Sequence, residues 1–153
     1  YKIYPKIVMN DESKVSPIDK FTPLYKNSKN IKIVQDAMFA STNEVRGTSY
    51  RSRIDDPKYQ FAGKTGTAQV KKITERDREL DLKTLQIPYE ERDHALYIAY
   101  GPYKNPRYAV SILVEHGGNG STTAAPMAKK LFKTIIDRHQ LRESINNKKY
   151  LDI

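Results

Sequence analysis

A lysine, a glycine and two threonines stand together in the stretch FAGKTGTAQV, residues 61–70, whose composition is otherwise typical of a strand. Because glycine weakens a strand, Gly66 indicates a bulge or a place where another molecule approaches the backbone closely. The Lys64 ammonium supplies positive potential, and the hydroxyls of Thr65 and Thr67 can donate hydrogen bonds to a carboxylate. Strand N–H groups can also face an oxyanion as it develops. The stretch therefore suits a substrate that carries both a carboxylate and a carbonyl.

The elements that must position this stretch are predicted from hydrophobic periodicity and turn residues. They are, in chain order, a strand over 1–9, a helix over 30–43, a strand over 62–71, a hairpin with strands over 94–100 and 107–116, and a helix over 122–139. Ser28 or Asn30 would cap the first helix, and Pro126 fits the first turn of the last one. This order predicts an α+β fold in which an antiparallel sheet of three C-terminal strands packs against helices.

The 153 residues are predicted to form one domain with three segments. Residues 1–60 hold the first strand, a linker and a helix. Residues 61–139 hold the Lys-Thr-Gly strand, a long loop over 72–93, the hairpin and the last helix. That loop carries many charges of both signs, and long loops are often functional or mobile. Residues 140–153 are predicted to be a polar, frayed tail.

Charge is the main signal in the overall composition, since 27 Lys and Arg against 18 Asp and Glu give a net charge of +9. This balance favours acidic partners, namely nucleic acid, anionic lipid or cell-wall polymer, without choosing among them. The absence of cysteine excludes disulfides and thiolate metal sites. No stretch reaches the roughly 18–20 consecutive apolar residues of a membrane span. The first residue is not methionine, which suggests a piece of a longer protein.

Other candidate sites have simpler interpretations. His94 and His116 flank the hairpin strands, but no carboxylate lies at a helical ligand spacing from either, so packing is expected in place of metal binding. His139, near the predicted end of a helix, would be favoured there by the helix dipole. The stretch HGGNGS, residues 116–121, matches no phosphate-binding motif and is predicted to be a tight strand-to-helix turn. The basic loop and eleven tyrosines leave nucleic-acid binding open as an alternative.

Three segments together resemble the C-terminal part of the penicillin-binding transpeptidases, most closely the penicillin-binding protein 2 group of cell-elongation enzymes. They are AGKTGTAQV, the hairpin RDHALYIAYGPYKNPRYAVSILVEHGGNG and the helical segment KIVQDAMFASTNEVRGTSY. Lys-Thr-Gly occurs in this superfamily together with the motifs S-x-x-K and S-D-N. The resemblance extends from about Pro5 to about Arg138. It implies the β-lactamase/transpeptidase-like fold and D,D-transpeptidase chemistry, in which a serine forms an acyl-enzyme with a D-Ala-D-Ala stem peptide.

The resemblance also implies roles within the Lys-Thr-Gly strand. Lys64 would bridge to the serine of the S-x-N motif, and Gly66 would let the acyl chain lie against the strand. The Thr67 N–H would form half of the oxyanion hole. Catalytic roles thus fall on Lys64, Thr65 and Gly66, and contacts to the stem peptide or a β-lactam fall on Thr65, Thr67, Ala68 and Gln69.

The nucleophile itself is absent, because no serine in the chain is followed three residues later by lysine. Ser28, Lys29 and Asn30 spell S-x-N, but they stand shortly before Lys64 and directly ahead of a helix, so a helix cap is the better interpretation. We therefore expect a C-terminal segment of a transpeptidase domain that is inactive by itself. A non-catalytic peptide-binding module and a basic nucleic-acid-binding domain remain alternatives.

For the parent protein the resemblance implies a location at the periplasmic face of the bacterial inner membrane. Its implied partners are stem peptides, β-lactams and the membrane glycosyltransferase of the elongation complex, with no nucleic acid, no metal and no organic cofactor. The strand over 107–116 would have an apolar edge without a neighbouring strand, and such edges tend to pair with another strand. We therefore expect self-association through this edge or through the bare face of the last helix.

Overall fold

The computed structural model describes residues 26–71 and 84–151, with side chains as far as Ser144. The chain divides into two compact units, Tyr1–Val34 and Gln35–Ile153. Of the first unit only residues 26–34 are described, and they contain the start of a helix. The strand predicted over 1–9 and the first part of the loop predicted over 72–93 lie outside the described residues.

The described elements follow the predicted order. They are helix α1 at Ser28–Asn43, strand β1 at Ala62–Ala68, strand β2 at His94–Gly101, strand β3 at Tyr108–Val114 and helix α2 at Ala124–Leu151. Short 3-10 turns lie at Tyr50–Ser52, Thr84–Gln86 and Tyr89–Glu91. The predicted α+β class, the antiparallel hairpin and the tight turn before the last helix are confirmed. Among the described helices, none is long and apolar enough to cross a lipid bilayer.

The three strands form one antiparallel sheet in the order β1–β2–β3. Thr65 of β1 lies opposite Tyr97 of β2, which lies opposite Ile112 of β3. Because side chains alternate in direction along a strand, this row of residues faces one side of the sheet. In the part of the chain that the structure describes, β1 and β3 are the two edges of the sheet.

The buried face of the sheet packs against α2. Small side chains at the contact let the helix approach the strands closely. The alanines of this core cluster are Ala95, Ala99, Ala124, Ala125 and Ala128. Phe132 of α2 is fully buried and stacks on Phe61, which directly precedes β1, with ring centroids 4.9 Å apart. Burial of a phenylalanine side chain is worth about 1.5–3 kcal/mol, so this pair fixes the start of β1 to the last helix.

Strand β1 is shorter than predicted, because it ends at Ala68 and not at residue 71. Strand β2 begins only at His94, which is the partner of Ala68, so no partner remains for later residues of β1. The Val70 N–H instead donates to the Asp93 carboxylate at 3.2 Å. Gln69 therefore follows the strand and does not extend its edge.

The prediction of a frayed tail over 140–153 is wrong, since α2 continues to Leu151. The Glu143 carboxylate pairs with Arg107 at 3.0 Å and with His139 at 2.9 Å, which ties this part of the helix to the hairpin. His139 consequently lies inside the helix, far from its end, and the helix-dipole interpretation of this residue is also wrong.

Helix α1 begins slightly earlier than predicted, and its cap is a different residue. The Asn27 side-chain oxygen accepts a hydrogen bond from the Lys29 N–H at 2.9 Å. Neither Ser28 nor Asn30 caps the helix, because the structure places both inside it. An asparagine directly before the first helical residue satisfies one of the free N–H groups of the first turn.

Candidate functional site

Strand β1 places the Lys-Thr-Gly motif on an open edge of the sheet. One edge of β1 pairs with β2, and the other has no neighbouring strand within the described residues. The backbone groups along that outer edge can therefore pair with an extended peptide. The exposed Lys64 ammonium donates to the carbonyl oxygen of Thr65 at 2.7 Å. It forms no ion pair within residues 26–71 and 84–144, so its charge is available to an anionic ligand.

A line of hydroxyl groups leads from the motif into the segment after α1. Thr65 Oγ1 lies 3.3 Å from Thr48 Oγ1, which lies 3.1 Å from Ser41 Oγ. Lys64 Nζ lies 3.4 Å from the Thr65 hydroxyl. Each hydroxyl donates one hydrogen bond and accepts others, so this line can fix the direction in which the Thr65 hydrogen points. The arrangement can present Thr65 as a donor to a carboxylate.

A buried hydrogen-bond network holds the motif strand from beneath. The fully buried Tyr97 hydroxyl lies 2.9 Å from Thr42 Oγ1 and 3.1 Å from Ser49 Oγ. Thr42 Oγ1 also accepts a hydrogen bond from the Gly63 N–H at 3.0 Å. Burial raises the pKa of the Tyr97 phenol, an effect that the hydrogen bonds of Ser49 and Thr42 oppose. The neutral phenol thus joins α1 and the following segment to both β1 and β2.

Glycines around the motif differ in how tightly they are packed. A Cβ on Gly63 would lie 2.4 Å from the Tyr97 hydroxyl oxygen. A Cβ on Gly120 would lie 2.5 Å from the carbonyl oxygen of Leu96 and 2.8 Å from that of Gly66, so the turn before α2 presses against the motif backbone. A Cβ on Gly66 itself would meet only the Leu96 Cβ within 4 Å, at 3.3 Å. The surface over Gly66 is therefore open.

A cleft of about 320 Å³ lies beside Thr67. Its walls are the segment over 84–93 and the turn before α2, which are joined by a hydrogen bond of 2.8 Å from the Gly118 N–H to the Asp93 carbonyl oxygen. Its charged and amide-bearing lining consists of Lys71, Glu91, Arg92, Asp93 and Asn119. The exposed Thr67 hydroxyl has no hydrogen-bond partner among the residues described, so it can bind a ligand that enters the cleft.

His94 and His116 lie together in contacts that are structural. The His116 N–H donates to His94 Nδ1 at 2.9 Å, and His116 Nδ1 lies 3.1 Å from the Arg92 carbonyl oxygen, to which it must donate. The two rings pack edge to face with centroids 4.8 Å apart. The packing role predicted for this pair is confirmed by these contacts. Among the described residues, no three potential metal ligands group together.

The structure brings most of the predicted site residues together on one strand. Lys64, Thr65, Gly66, Thr67 and Ala68 all lie in β1, and Gln69 follows it. Sequence reasoning missed the hydroxyl and loop groups beside the motif, namely Ser41, Thr42, Thr48, Ser49, Tyr97, Arg92 and Asn119. Gly63, a second glycine just before the motif, was the one sequence signal that a large buried side chain packs against this strand. The loop residues gave no signal, because their position depends on how distant segments fold together.

Comparison with known proteins places these features in a family. The family described as penicillin binding protein transpeptidase domain matches residues 2–136. The chain is 36% identical over 105 residues to the peptidoglycan D,D-transpeptidase MrdA of Salmonella typhimurium strain SL1344, and 39% identical over 101 residues to MrdA of Haemophilus influenzae. These alignments cover 69% and 66% of this chain but 16% and 15% of the relatives. The chain thus spans about one sixth of their length.

Solved structures agree with this assignment. The chain is similar to the penicillin-binding protein PBP2 of Helicobacter pylori in a complex with MreC, with a TM-score of 0.56 and 33% identity over 71% of this chain and 17% of that one. It is also similar to Pseudomonas aeruginosa PBP2 in complex with WCK 5153, with a TM-score of 0.56 and 30% identity over 73% of this chain and 21% of that one. Because the family match covers most of its length, the chain belongs to the penicillin-binding protein transpeptidase family.

Proposed function

We propose that this chain is a segment of a peptidoglycan D,D-transpeptidase in which β1 forms one wall of the acyl-transfer site. The observation that carries the proposal is the outer edge of β1. Lys64, which forms no ion pair within the described residues, and two exposed or half-exposed threonines stand there beside a glycine whose surface is open. Similarity to MrdA supports the reaction type.

In this function the stem peptide lies along β1 as an added strand, and its backbone pairs with the outer edge. The hydroxyls of Thr65 and Thr67 donate hydrogen bonds to the terminal carboxylate, and Lys64 contributes positive potential. The Thr67 N–H stabilises the oxyanion that forms at the scissile carbonyl, a contribution worth about 10²–10³ in rate for one donor. Gly66 leaves room for the acyl chain next to the backbone.

The serine that attacks the carbonyl is not within this chain, which has no serine followed three residues later by lysine. In the parent protein the serine Oγ would form the ester, the terminal D-Ala would leave, and an amine of a second stem peptide would then take the acyl group. By itself the chain binds the peptide without chemistry. Saturable binding of a stem peptide, with no turnover, is the behaviour expected of it.

The family also suggests a setting for the parent protein. We propose that it works at the periplasmic face of the bacterial inner membrane with the glycosyltransferase of the elongation complex. Support for assembly in a complex comes from the Helicobacter pylori relative, which was solved with MreC. The net charge of +9 suits an acidic cell-wall polymer as the substrate.

We further propose that the isolated chain self-associates through β3. This strand is an edge of the described sheet, and its Leu113 side chain is 57% exposed on the same face as Ile98, which is 52% exposed. The exposed face of α2, which carries Met127, Leu131 and Leu141, is the alternative surface for self-association. Light scattering at micromolar concentrations should show a mass that rises with concentration. The mass of one chain throughout would contradict the proposal.

The test of the site is acylation by a fluorescent penicillin, read by intact mass. The chain alone should give no adduct, and an adduct would show that one of its serines is a nucleophile after all. A chimera in which this chain replaces the matching segment of full-length Haemophilus influenzae MrdA should be acylated. In that chimera, Lys64→Ala and Thr65→Val should each slow acylation by about 10²-fold.

The matched control is Thr134→Val, which makes the same chemical change on the exposed surface of α2. It should leave the acylation rate unchanged. If Thr65→Val behaves like this control in a folded chimera, then β1 is not the carboxylate-binding wall and the proposed function fails.

A further inference from the structure

A second concave surface lies between the first turns of α2 and the 3-10 turn at Tyr50–Ser52. We call it the basic groove. It has a volume of about 490 Å³, within the range of roughly 300–1,000 Å³ that is usual for ligand clefts. Four cations line it, together with hydroxyl groups, and no carboxylate is among its lining residues. The cations are Arg51, Lys129, Lys130 and Lys133, and hydroxyls come from Ser121 and Thr122.

Most of the positive charge of the basic groove has no ion-pair partner in the part of the chain that the structure describes. Within the described residues, Arg51, Lys129 and Lys130 form no ion pair. Of the acidic side chains further along α2, Asp137 pairs with Lys58 and also interacts electrostatically with Lys133, and Glu143 pairs with Arg107 of the β2–β3 hairpin. Like charges held around one concavity repel one another unless an anion binds between them. The groove therefore has the electrostatics of an anion-binding site.

Both walls of the basic groove belong to segments that also hold the motif strand. Ser121 directly follows Gly120, which packs against the backbone of Gly66. Arg51 follows Thr48 in the segment after α1, and the Thr48 hydroxyl contacts that of Thr65. An anion in the groove would thus bind next to whatever lies along β1, on the same molecule.

We propose that the basic groove binds carboxylates of the peptidoglycan strand whose stem peptide occupies β1. This inference rests on the proposed function. Each unlinked stem peptide ends in a carboxylate, so a strand that carries many of them is a polyanion. Arginine and lysine with adjacent hydroxyls are the donors that hold carboxylates. The groove is concave, which favours a peptide segment over the flat surface of a bilayer. Its role is to keep the polymer in place while one stem peptide reacts.

The test is sedimentation of the chain with isolated cell-wall polymer that carries free stem peptides. The variant Arg51→Glu/Lys130→Glu should weaken binding by about tenfold, since it removes two attractive charges and adds two repulsive ones. The control Lys104→Glu/Arg142→Glu makes the same change of net charge at two exposed positions outside the groove. It should change binding by less than about twofold. Far-UV circular dichroism checks that both variants are folded, and Arg51→Gln/Lys130→Gln replaces the first variant if it is not.

Several outcomes would overturn the inference. Equal losses in both variants would mean that net charge alone attracts the polymer. Undiminished binding to polymer whose carboxylates have been amidated would mean that the groove does not recognise carboxylates. Tighter binding to anionic lipid vesicles or to nucleic acid than to the polymer would assign the groove to another partner. If the Arg51→Glu/Lys130→Glu variant binds the polymer normally while Thr65→Val still slows acylation of the chimera, the inference about the groove is refuted and the proposed function stands. An unaffected Thr65→Val chimera would instead remove the proposed function.

Discussion

Two glycines three positions apart should respond very differently to the same substitution. In Gly63→Ala the new methyl group would lie 2.4 Å from the Tyr97 hydroxyl oxygen and 2.5 Å from the adjacent ring carbon. Tyr97 has no exposed surface and is held by Thr42 and Ser49, so its ring cannot turn away. In Gly66→Ala the methyl group would meet only the Leu96 Cβ, at 3.3 Å, which a shift of a few tenths of an ångström relieves.

The expected magnitudes follow from these contacts. Overpacking a well-filled site costs about 1–3 kcal/mol of stability. Because neither the backbone of β1 nor the fully buried ring of Tyr97 can move away, we expect Gly63→Ala to cost about 3 kcal/mol, the upper end of this range. At about 2–4 °C per kcal/mol for a chain of this length, the melting temperature should fall by about 6–12 °C. Alanine in place of a strand glycine regains about 0.5–1 kcal/mol of backbone entropy, which offsets the mild crowding in Gly66→Ala. Its free energy of unfolding should stay within about 1 kcal/mol of the original.

Urea unfolding followed by far-UV circular dichroism measures both variants under the same conditions. A Gly66→Ala variant as unstable as Gly63→Ala would refute the conclusion that the surface over Gly66 is open. An unchanged midpoint for Gly63→Ala would refute the packing of Tyr97 against β1. If the stabilities differ as expected, the glycine of the motif is not required for folding, and slower acylation of the Gly66→Ala chimera would then report on access of the acyl chain.

Three further outcomes are expected. Tyr97→Phe leaves the Thr42 and Ser49 hydroxyls without their buried partner and should cost about 1–2 kcal/mol in urea unfolding, whereas no loss would mean that the network is not formed. Hydrogen bonds from Tyr59 and Lys58 lower the pKa of Asp137 in the folded chain, so this carboxylate stabilises the fold above the ordinary aspartate pKa and the effect is lost as pH falls through the lowered value. The urea midpoints of the original chain and Asp137→Asn should therefore differ near about pH 6 and converge below about pH 4, and a constant difference would contradict the assignment. Leu113→Lys places a charge on the exposed face of β3 and should lower the self-associated fraction in light scattering, with Lys104→Ala as an unaffected control.

Local signals in the sequence were sufficient for the elements and for the motif. Three-and-four spacing marked α1, proline and glycine between β-rich runs marked the hairpin, and the glycine of Lys-Thr-Gly marked the strand of the candidate site. These signals depend only on residues that are close in sequence, so they can be interpreted without knowledge of the fold. Where an end depended on a distant partner, the prediction failed. Strand β1 stops at Ala68 because β2 begins at His94, and α2 continues past residue 139, where Glu143 pairs with Arg107 of the hairpin.

The sequence by itself determined the chemical groups of the candidate site, their order along one strand, and the absence of an S-x-x-K serine from this chain. Only the tertiary structure decided their surroundings. It placed Tyr97 under Gly63, set Gly120 against the backbone of Gly66, and brought Arg51 opposite the lysines of α2. Each of these pairs is distant in sequence, and its contact depends on the packing of α2 and the segment after α1 against the sheet. No local pattern of residues specifies a contact of that kind.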